Sequence, residues 1–485
     1  MRVRRYRYST IPQLLAVALW SWAGPAGGVD ITVNHMEDLS SGASCAMGSP
    51  TCTLREAIRQ ANLTTVDDTI YLPAGRYELS IPGQGEDGGA TGDLDISTNL
   101  TLIGTGADKT IIDANGIDRV FDIFSIVEVG IRGVTITGGA APGTALSGLG
   151  GGGGIRVYEA ALGLENSKVI GNRAPSGGGL SARWAAEISI SHSHFRENTL
   201  FQGESNCDGS GILHNNSDAL LLFQSTFENN RCSPEVSQCD AIQAESCRTA
   251  VGVDIENSTI AREFYGGFHS HNCDADITHS TIAENPGRGV FFGSFDGSDT
   301  LRIRSTVVAE NTVADCLLIS GIIDVAGGKN LDSDGTCGLS AAQGDLPSTD
   351  PELMPFSYYA SPTPSYHPKP GSPVIDVAGA CNLTGDQDGF ERPDGDSASG
   401  AQCDLGSIEA LPCSSGVSDV WLLAGPVGSG TWEACNNLYA VGTTIIDGST
   451  VTFSARNSVR LDDGFAVGAG ATFTAAIDRS ADWSP

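Results

Sequence analysis

Basic residues and long apolar runs are both scarce in this chain. Its 485 residues include 27 Lys and Arg against 58 Asp and Glu, which gives a formal charge of −31 at pH 7. Nucleic acids and anionic lipid surfaces would be repelled, so neither is an expected partner. Beyond residue 22 no segment is apolar for long enough to span a bilayer. With 62 glycines and 40% apolar residues, the composition is typical of a folded protein built from short strands and turns, not of disorder.

The N-terminus has the features of a secretory signal peptide. A basic stretch at 2–7 precedes an apolar stretch at 11–22, and small residues follow at 23–28. The apolar stretch is too short to cross a bilayer; an uncleaved anchor is the alternative interpretation. We therefore expect residues 1–28 to be removed and the mature chain to be secreted or held in the cell envelope. Losing the four arginines at 2–7 takes the formal charge from −31 to −35.

Thirteen cysteines indicate disulfide bonds, which an exported chain is free to form. Spacing along the chain favours four local pairs: Cys45–Cys52, Cys316–Cys337, Cys381–Cys403 and Cys413–Cys435. Five more cysteines cluster in the middle of the chain with their connectivity open: Cys207, Cys232, Cys239, Cys247 and Cys273. One of the thirteen must remain unpaired. No spacing makes a paired CxxC site, so structural zinc is not expected.

One pattern of residue types recurs along the chain. An aliphatic residue is followed after three places by Ser or Thr, after two more by an apolar residue, and after three more by Asn. The full copies begin at Leu164, Ile190, Leu222, Ile277 and Ile303. The copy at Ile255 ends in Glu263, and a half-copy at Ile131 ends in Gly139. Starting points lie 22 to 33 residues apart, and a repeat of that length built from strands specifies a solenoid.

The fixed positions of the repeat predict strands joined by tight corners. Apolar residues alternate before each Ser or Thr, as strand residues with one inward face must. The Ser/Thr and Asn columns are expected at the corners. Asn tolerates left-handed backbone geometry, and its amide is able to stack on the Asn of the next coil.

The remaining segments suggest a cap and two smaller units. Residues 29–99 are expected to form an N-terminal cap with a helix over 54–62, where Thr53 and Glu56 make a capping box. The coils of the repeat are assigned to residues 100–345. A segment rich in Pro and acid follows at 346–412, and residues 413–485 contain short alternating strands typical of a small all-β stack.

Several stretches resemble known bacterial surface-protein modules. Residues 52–62, CTLREAIRQAN, are similar to the CSLREA motif of secreted β-helix proteins, with Thr53 in place of the usual Ser. GGGI at 152–155, FREN at 195–198 and related copies resemble the repeats of polymorphic outer-membrane proteins. Residues 372–376, 386–393 and 403–409 resemble a choice-of-anchor Q segment, and the final stretch is similar to a three-coathanger stack. The resemblance implies an all-β, right-handed parallel β-helix (a pectin-lyase-like solenoid) followed by small β modules, and it brings no assigned catalytic residue.

The richest polar run in the repeats lies at 269–279. On one strand, His269 and His271 would share a face and Asp274 and Asp276 the opposite one, with Glu245, Asp254 or Arg302 beside them on neighbouring coils. His and Asp grouped in this way are able to bind a metal or to act in acid–base catalysis. Arg302 and Arg304 point outward from one strand, either as a solvated face or as a contact for an acidic glycan. The alternative for the whole run is a polar ladder on a solvated surface.

Two acidic stretches resemble fragments of calcium loops. Asp386 and Asp388 form one, and Asp332 and Asp334 form the other. Both lack the EF-hand's Glu at the twelfth position, so Asx turns are the alternative interpretation. Asp386 is also a candidate ion-pair partner for Arg392. Calcium is therefore possible, and no other cofactor is expected.

The combined indications predict an exported, monomeric protein that acts by binding. Its expected role is non-enzymatic: adhesion to glycans or other cell surfaces, or an envelope scaffold without a ligand. The alternative is a polysaccharide lyase or glycoside hydrolase with its groove on the β-helix. Fold alone does not decide between them, and the NTD, DD and GHG constellation of polygalacturonases is absent.

Overall fold

A computed structural model gives the architecture of most of the chain. It describes residues 28–143, 150–201, 209–233, 239–249, 252–359, 361, 363–379, 381, 383–392, 402–410, 420–422, 425–434, 437–455, 458–462 and 464–477.

Parallel strands from successive coils stack into three long sheets, here named A, B and C. A typical coil contributes Ile155–Tyr158 to sheet C, Ala161–Glu165 to sheet A and Lys168–Ile170 to sheet B. Each strand pairs in parallel with the equivalent strands of the coils before and after it. The protein is therefore a right-handed parallel β-helix, as the sequence predicts.

The strand bounds follow the chain through this winding. Sheet A consists of Asp30–Thr32, Asp68–Leu72, Leu100–Gly104, Glu128–Arg132, Ala161–Glu165, Glu187–Ser191, Ala219–Phe223, Gly252–Glu256, Ala275–Thr278, Thr300–Arg304 and Ile322–Asp324. Sheet B consists of Gly75–Glu78, Thr110–Asp113, Thr135–Thr137, Lys168–Ile170, His194–Arg196, Thr226–Glu228, Thr259–Ala261, Thr281–Ala283, Val307–Ala309 and Leu331–Asp332. Sheet C consists of Leu94–Ile96, Phe121–Phe124, Ile155–Tyr158, Leu180–Arg183, Ile212–Asn215, Asp240–Glu245, Gly266–His271, Arg288–Gly293 and Ala314–Leu318. A short fourth sheet joins Arg173–Ala174, Thr199–Leu200 and Arg231–Cys232.

The Ser/Thr column of the repeat forms a hydrogen-bonded ladder at the corner between sheets A and B. The backbone N–H of Ser167 donates to Ser193 Oγ at 3.2 Å, and that of Ser193 donates to Ser225 Oγ at 3.2 Å. Each hydroxyl in turn donates to a carbonyl two residues earlier, as Ser193 does to Ser191 at 2.8 Å. The column is buried, so the ladder satisfies backbone groups that water does not reach.

The Asn column forms a second ladder, at the corner that follows sheet B. Asn172 donates from its backbone and side chain to Asn198 Oδ1, at 3.2 and 3.1 Å. Asn198 repeats this pattern with Asn230. The predicted amide contacts are thus present. The expectation that the Asn itself is left-handed is wrong: the preceding residue takes that geometry, as Glu197 (φ 55°) and Asn229 (φ 53°) do.

Glu263 replaces Asn in this ladder and is fully buried there. Its Oε1 accepts from Asn230 Nδ2 at 3.0 Å and its Oε2 from the Asn230 backbone N–H at 2.6 Å. Burial raises the pKa of Glu263 well above its usual value, although both bonds to Asn230 act to lower it. At this position the carboxyl group either stays protonated or carries a buried charge, and each state costs free energy at neutral pH.

We expect Glu263→Gln to raise the free energy of unfolding at pH 7. Because the pKa of this acid is higher in the folded than in the unfolded chain, its destabilising effect is absent below about pH 4, where both states are protonated. The penalty then grows by about 1.4 kcal/mol for each pH unit as the pH rises toward the folded-state pKa. Denaturant unfolding of both proteins from pH 4 to 8 should show curves that converge at the acidic end. Curves that run parallel over this range would contradict the argument.

A short helix, Leu54–Ala61, covers the N-terminal end of the solenoid. Thr53 Oγ1 accepts from the Glu56 backbone N–H at 3.2 Å, which provides the forward half of the predicted capping box. Leu54, Ala57, Ile58 and Ala61 are buried and join the interior of the coils. The helix therefore seals apolar residues of the first coils that would otherwise face water. A 3₁₀ turn at Ala341–Gln343 follows the last coil.

The described residues between 353 and 410 lie across the outer face of sheet B. Thr226, Thr259 and Thr281 on that face bond to this segment, for example Thr259 Oγ1 to Gln387 Oε1 at 2.6 Å. The buried Arg392 guanidinium donates to Glu409 at 2.9 Å, and Asp386, its predicted partner, acts on it through its charge alone. Sheet B is consequently covered over its later coils, whereas sheets A and C carry the remaining outward faces.

The C-terminal residues form a second, smaller solenoid. Three coils each contribute one strand to three parallel sheets: Val420–Leu422, Asn437–Ala440 and Ser458–Leu461; Gly425–Val427, Thr443–Ile445 and Ala466–Val467; Gly430–Ala434, Thr450–Ala455 and Thr472–Ile477. Its core includes Trp432 and Phe453, and Met354 and Tyr359 of the preceding segment pack into it.

Five disulfides brace the described part of the chain. Three predicted local pairs, Cys45–Cys52, Cys316–Cys337 and Cys381–Cys403, are confirmed. The central cluster contains Cys232–Cys239 and Cys247–Cys273. The predicted pair Cys413–Cys435, and Cys207, lie outside the described residues. Within the described residues, no helix is long and apolar enough to cross a membrane.

Candidate functional site

The six residues predicted as catalytic candidates do not form one site. His269 and His271 are in sheet C, Asp276, Arg302 and Arg304 are in sheet A, and Asp274 is in the corner between them. The expectation of one continuous strand through 269–276 is wrong. Asn272 has a φ of 55° and turns the chain from sheet C to sheet A, so the histidines and the acids face different sides of the solenoid.

The sheet A candidates form a ladder of compensating charges. Asp276 lies 3.5 Å from Arg302 and 3.7 Å from Arg304, and Arg304 also lies 3.0 Å from Asp324. Asp254 stands beside Asp276 on the preceding coil, and burial followed by repulsion from Asp276 raises the pKa of Asp254 to about 7. Both arginines point outward, as predicted, but each already has a carboxylate partner. These contacts favour the solvated-ladder interpretation for this face.

On sheet C, His269 is held by an acid that sequence patterns do not single out. Its Nδ1 lies 2.9 Å from Asp240 Oδ2, and its ring packs on Phe291 with centroids 4.1 Å apart. Both members of the pair are buried. Because a carboxylate accepts hydrogen bonds, the contact places the proton on Nδ1 and leaves Nε2 as the basic nitrogen. A His–Asp pair of this kind is a building block of acid–base sites.

His271 belongs to a row of partly exposed side chains along the edge of sheet C. The row, called the edge row below, takes one residue from each of five successive coils: Tyr158, Arg183, Asn215, Glu245 and His271. Neighbouring strands are about 4.8 Å apart, so the row extends for roughly 19 Å. Asn215 Nδ2 donates to Glu245 Oε2 at 2.9 Å. The edge row therefore presents hydrogen-bonding groups in a straight line parallel to the axis of the solenoid.

Exposed aromatic rings flank both ends of the edge row. Trp184 is 42% exposed and meets Tyr158 edge-on at 5.3 Å. Phe295 is 84% exposed and meets His271 edge-on at 4.4 Å. Such rings offer apolar faces with little conformational entropy to lose on binding. Sequence reasoning missed both Trp184 and Phe295.

Of the four predicted calcium ligands, Asp386 is bonded to protein donors through both oxygens, whereas Asp388 is bonded through Oδ2 and has a buried Oδ1 without a hydrogen bond. Asp386 accepts from the backbone N–H groups of Phe390 (2.8 Å) and Glu409 (2.9 Å). Burial, followed by the charge of Asp388, raises the pKa of Asp386 to about 6. Asp388 Oδ2 lies 2.8 Å from His367 Nε2. These bonds hold the turn together and favour the Asx-turn interpretation.

Asp332 and Asp334 are engaged in the same way. Asp332 accepts from the backbone N–H groups of Cys337 (2.8 Å) and Ser348 (3.1 Å). Asp334 Oδ1 accepts from the backbone N–H of Thr336 at 2.9 Å. Calcium binding by these residues stays a prediction, and the contacts support a role in closing the last coil.

One protein-family model and several solved structures are similar to this chain. The model of the right handed beta helix region family matches residues 114–292. Pectate lyase Pel9A has a TM-score of 0.41 at 14% identity, covering 79% of this chain and 97% of that one. The A-module of the Azotobacter vinelandii mannuronan C-5 epimerase AlgE6 has a TM-score of 0.36 at 13% identity, covering 92% and 99%. A rhamnogalacturonan lyase has a TM-score of 0.33 at 13% identity, covering 63% and 73%. A search of curated proteins finds no match.

Proposed function

We propose that this protein is an exported glycan-binding β-helix that holds an extended polysaccharide along the edge row without cleaving it. The observation that carries the proposal is the combination of exposed rings, Trp184 and Phe295, at the two ends of a straight row of polar side chains. A sugar chain presents apolar C–H faces and hydroxyl groups in regular alternation, which such a row complements. An adhesive role or an envelope location would use the same face.

A neutral glycan suits this surface better than an acidic one. The chain carries a net charge of −31, which repels polyanions at long range. Arg302 and Arg304, the predicted contacts for an acidic glycan, already face Asp276 and Asp324. Within the edge row the charge of Arg183 is balanced by that of Glu245.

Export is supported by the disulfides together with the predicted signal peptide. Five described disulfides are typical of a protein that matures in an oxidising compartment. A polysaccharide outside the cell is a ligand that such a protein would meet.

A second candidate function, glycan cleavage, is favoured by the His269–Asp240 pair. The pair is adjacent to the edge row, since His269 is two residues from His271 on the same strand. An imidazole whose Nε2 is basic would be able to remove or deliver a proton if a bound glycan approached it. The second function would use the same ligand surface, so one set of variants tests both.

We expect Trp184→Ala and Phe295→Ala each to weaken glycan binding by about tenfold or more, because truncating an aromatic anchor of an interface costs about 2 kcal/mol. The measurement is calorimetric titration with neutral and acidic polysaccharides, preceded by a glycan array to select the ligand. Phe264→Ala is the matched control: Phe264 is 53% exposed but follows a sheet B strand. Equal losses in all three variants, or no binding by the wild type, would refute the proposal.

A measurement of glycan cleavage distinguishes the binding function from the enzymatic one. The same incubations are monitored for new reducing ends and for the ultraviolet absorbance of unsaturated products. Binding without either signal supports the binding protein. A signal that Asp240→Asn abolishes, with binding retained, would establish the enzyme instead.

A further inference from the structure

A cluster of acidic side chains lies on the outer face of sheet C near its N-terminal end, on the coils just before the edge row begins. Asp95 and Asp122 are side by side on adjacent strands, and Asp87 reaches them from the glycine-rich loop before sheet C. Each of the three offers a ligand atom within 4.8 Å of the others. Asp93 and Asp118 are buried close by.

Two carboxylate oxygens in this cluster, Asp95 Oδ1 and Asp118 Oδ2, are buried without a hydrogen bond, and the first belongs to one of the three grouped acids. Asp95 is 0% exposed, and its Oδ2 accepts from the Gly89 backbone N–H at 2.7 Å. Its Oδ1 is buried without a hydrogen bond. An acceptor left in this way costs about 1–3 kcal/mol, more when charged, so a buried oxygen of this kind indicates a missing ligand.

The charges of the cluster do not cancel. Arg119 contacts Asp93 at 2.8 Å, and Arg156 contacts Asp122 at 2.7 Å. Two guanidinium groups thus face five carboxylates. A bound cation would offset the remaining negative charge.

We propose that Asp87, Asp95 and Asp122 form a calcium site, with Asp95 Oδ1 as a buried ligand and Asp87 closing the site from the solvent side. The donors are all carboxylate oxygens, which hard cations prefer. Ca²⁺ tolerates irregular arrangements of oxygen ligands, whereas Mg²⁺ demands near-ideal octahedral geometry. Asp122 Oδ2 accepts from both Arg156 and Arg119, so Oδ1, which accepts from Arg156 Nε at 2.7 Å, is the oxygen that would bind the cation through its second lone pair. The ion would fasten the glycine-rich loop to the first coils, where Arg55 already holds the carbonyl of Gly92 at 2.8 Å.

The test is calorimetric titration of CaCl₂ into EDTA-treated mature protein at pH 8, together with terbium luminescence and thermal melting. We expect one Ca²⁺ per chain, a higher melting temperature with calcium, and affinity reduced at least roughly tenfold by Asp87→Asn or Asp95→Asn. Asp87 is exposed, so its substitution leaves the core intact even if Asp95→Asn fails to fold.

Asp334→Asn serves as the matched control, since Asp334 lies in the acidic turn at the other end of the coils. Unchanged affinity in this variant supports the site. Calcium binding lost in Asp334→Asn but kept in Asp87→Asn would overturn the proposal. Absence of calcium binding at millimolar concentration, with Asp95→Asn melting higher than the wild type, would show that the cluster is held by protonation and would overturn it equally.

Discussion

Replacement of Arg392 by Met should destabilise the attachment of the 353–410 segment to sheet B by about 3–5 kcal/mol. The guanidinium is completely buried and donates to Glu409 at 2.9 Å, to the Gly406 carbonyl at 2.8 Å and to the Asp404 carbonyl at 3.1 Å. Methionine fills a similar volume but leaves the buried carboxylate of Glu409 without this guanidinium. Denaturant unfolding and limited proteolysis of the segment should both report the loss.

The groups around Arg392 indicate that the loss of stability in Arg392→Met comes from the missing charge and not only from the change in side-chain volume. His279 Nδ1 lies 3.2 Å from the guanidinium, and burial, followed by the charge of Arg392, lowers the pKa of His279 to about 3. The imidazole is therefore neutral and accepts from Arg392. Removing the cation takes a hydrogen bond from three kinds of acceptor at once: a carboxylate, backbone carbonyls and an imidazole.

A second substitution separates loss of the ion pair from loss of packing. If the unbalanced carboxylate is responsible, Arg392→Met combined with Glu409→Leu should recover much of the stability, because replacing a whole buried ion pair by apolar residues is often neutral. Arg460→Met is the control, since Arg460 pairs with Asp462 at the surface and such pairs contribute about 0–1 kcal/mol. A double variant no more stable than the single one would contradict the charge argument.

The parts of the fold that could be predicted from the sequence are those in which the connections between strands have a constant length. From Glu165 to Val307 the connection between sheets A and B is always two residues, for example between Glu165 and Lys168 or between Arg304 and Val307. The end of one strand, the turn and the next strand therefore fall at fixed offsets, and this is the repeated pattern. Its corner residues are buried and hydrogen-bonded to the next coil, which favours Ser, Thr and Asn, with Glu263 as an exception.

Sheet C could not be placed in the same way because its connections vary. Two residues separate Tyr158 from Ala161, whereas six separate Glu245 from Gly252. Without a fixed offset, a residue such as Asp240 cannot be aligned with His269 on the next coil, and the edge row is invisible in the sequence. The polar run at 269–276 was recognisable by composition, but the corner at Asn272 that divides it was not.

Replacement of Asn198 by Leu should cost about 3–9 kcal/mol, because three buried polar groups would lose a hydrogen-bond partner at about 1–3 kcal/mol each. Asn198 Oδ1 accepts from the backbone and side-chain N–H groups of Asn172, and its Nδ2 donates to the Val169 carbonyl at 2.8 Å. Ser193→Ala, which removes one rung of the serine ladder, should cost less, and Ser189→Ala on the outward face of the same coil should cost least. Hydrogen exchange should show the lost protection concentrated on the coils next to Asn198, since stability in a solenoid comes from neighbouring coils. A loss below about 1 kcal/mol for Asn198→Leu would mean that apolar packing alone holds this corner, and that the recurrent Asn is not needed for stability.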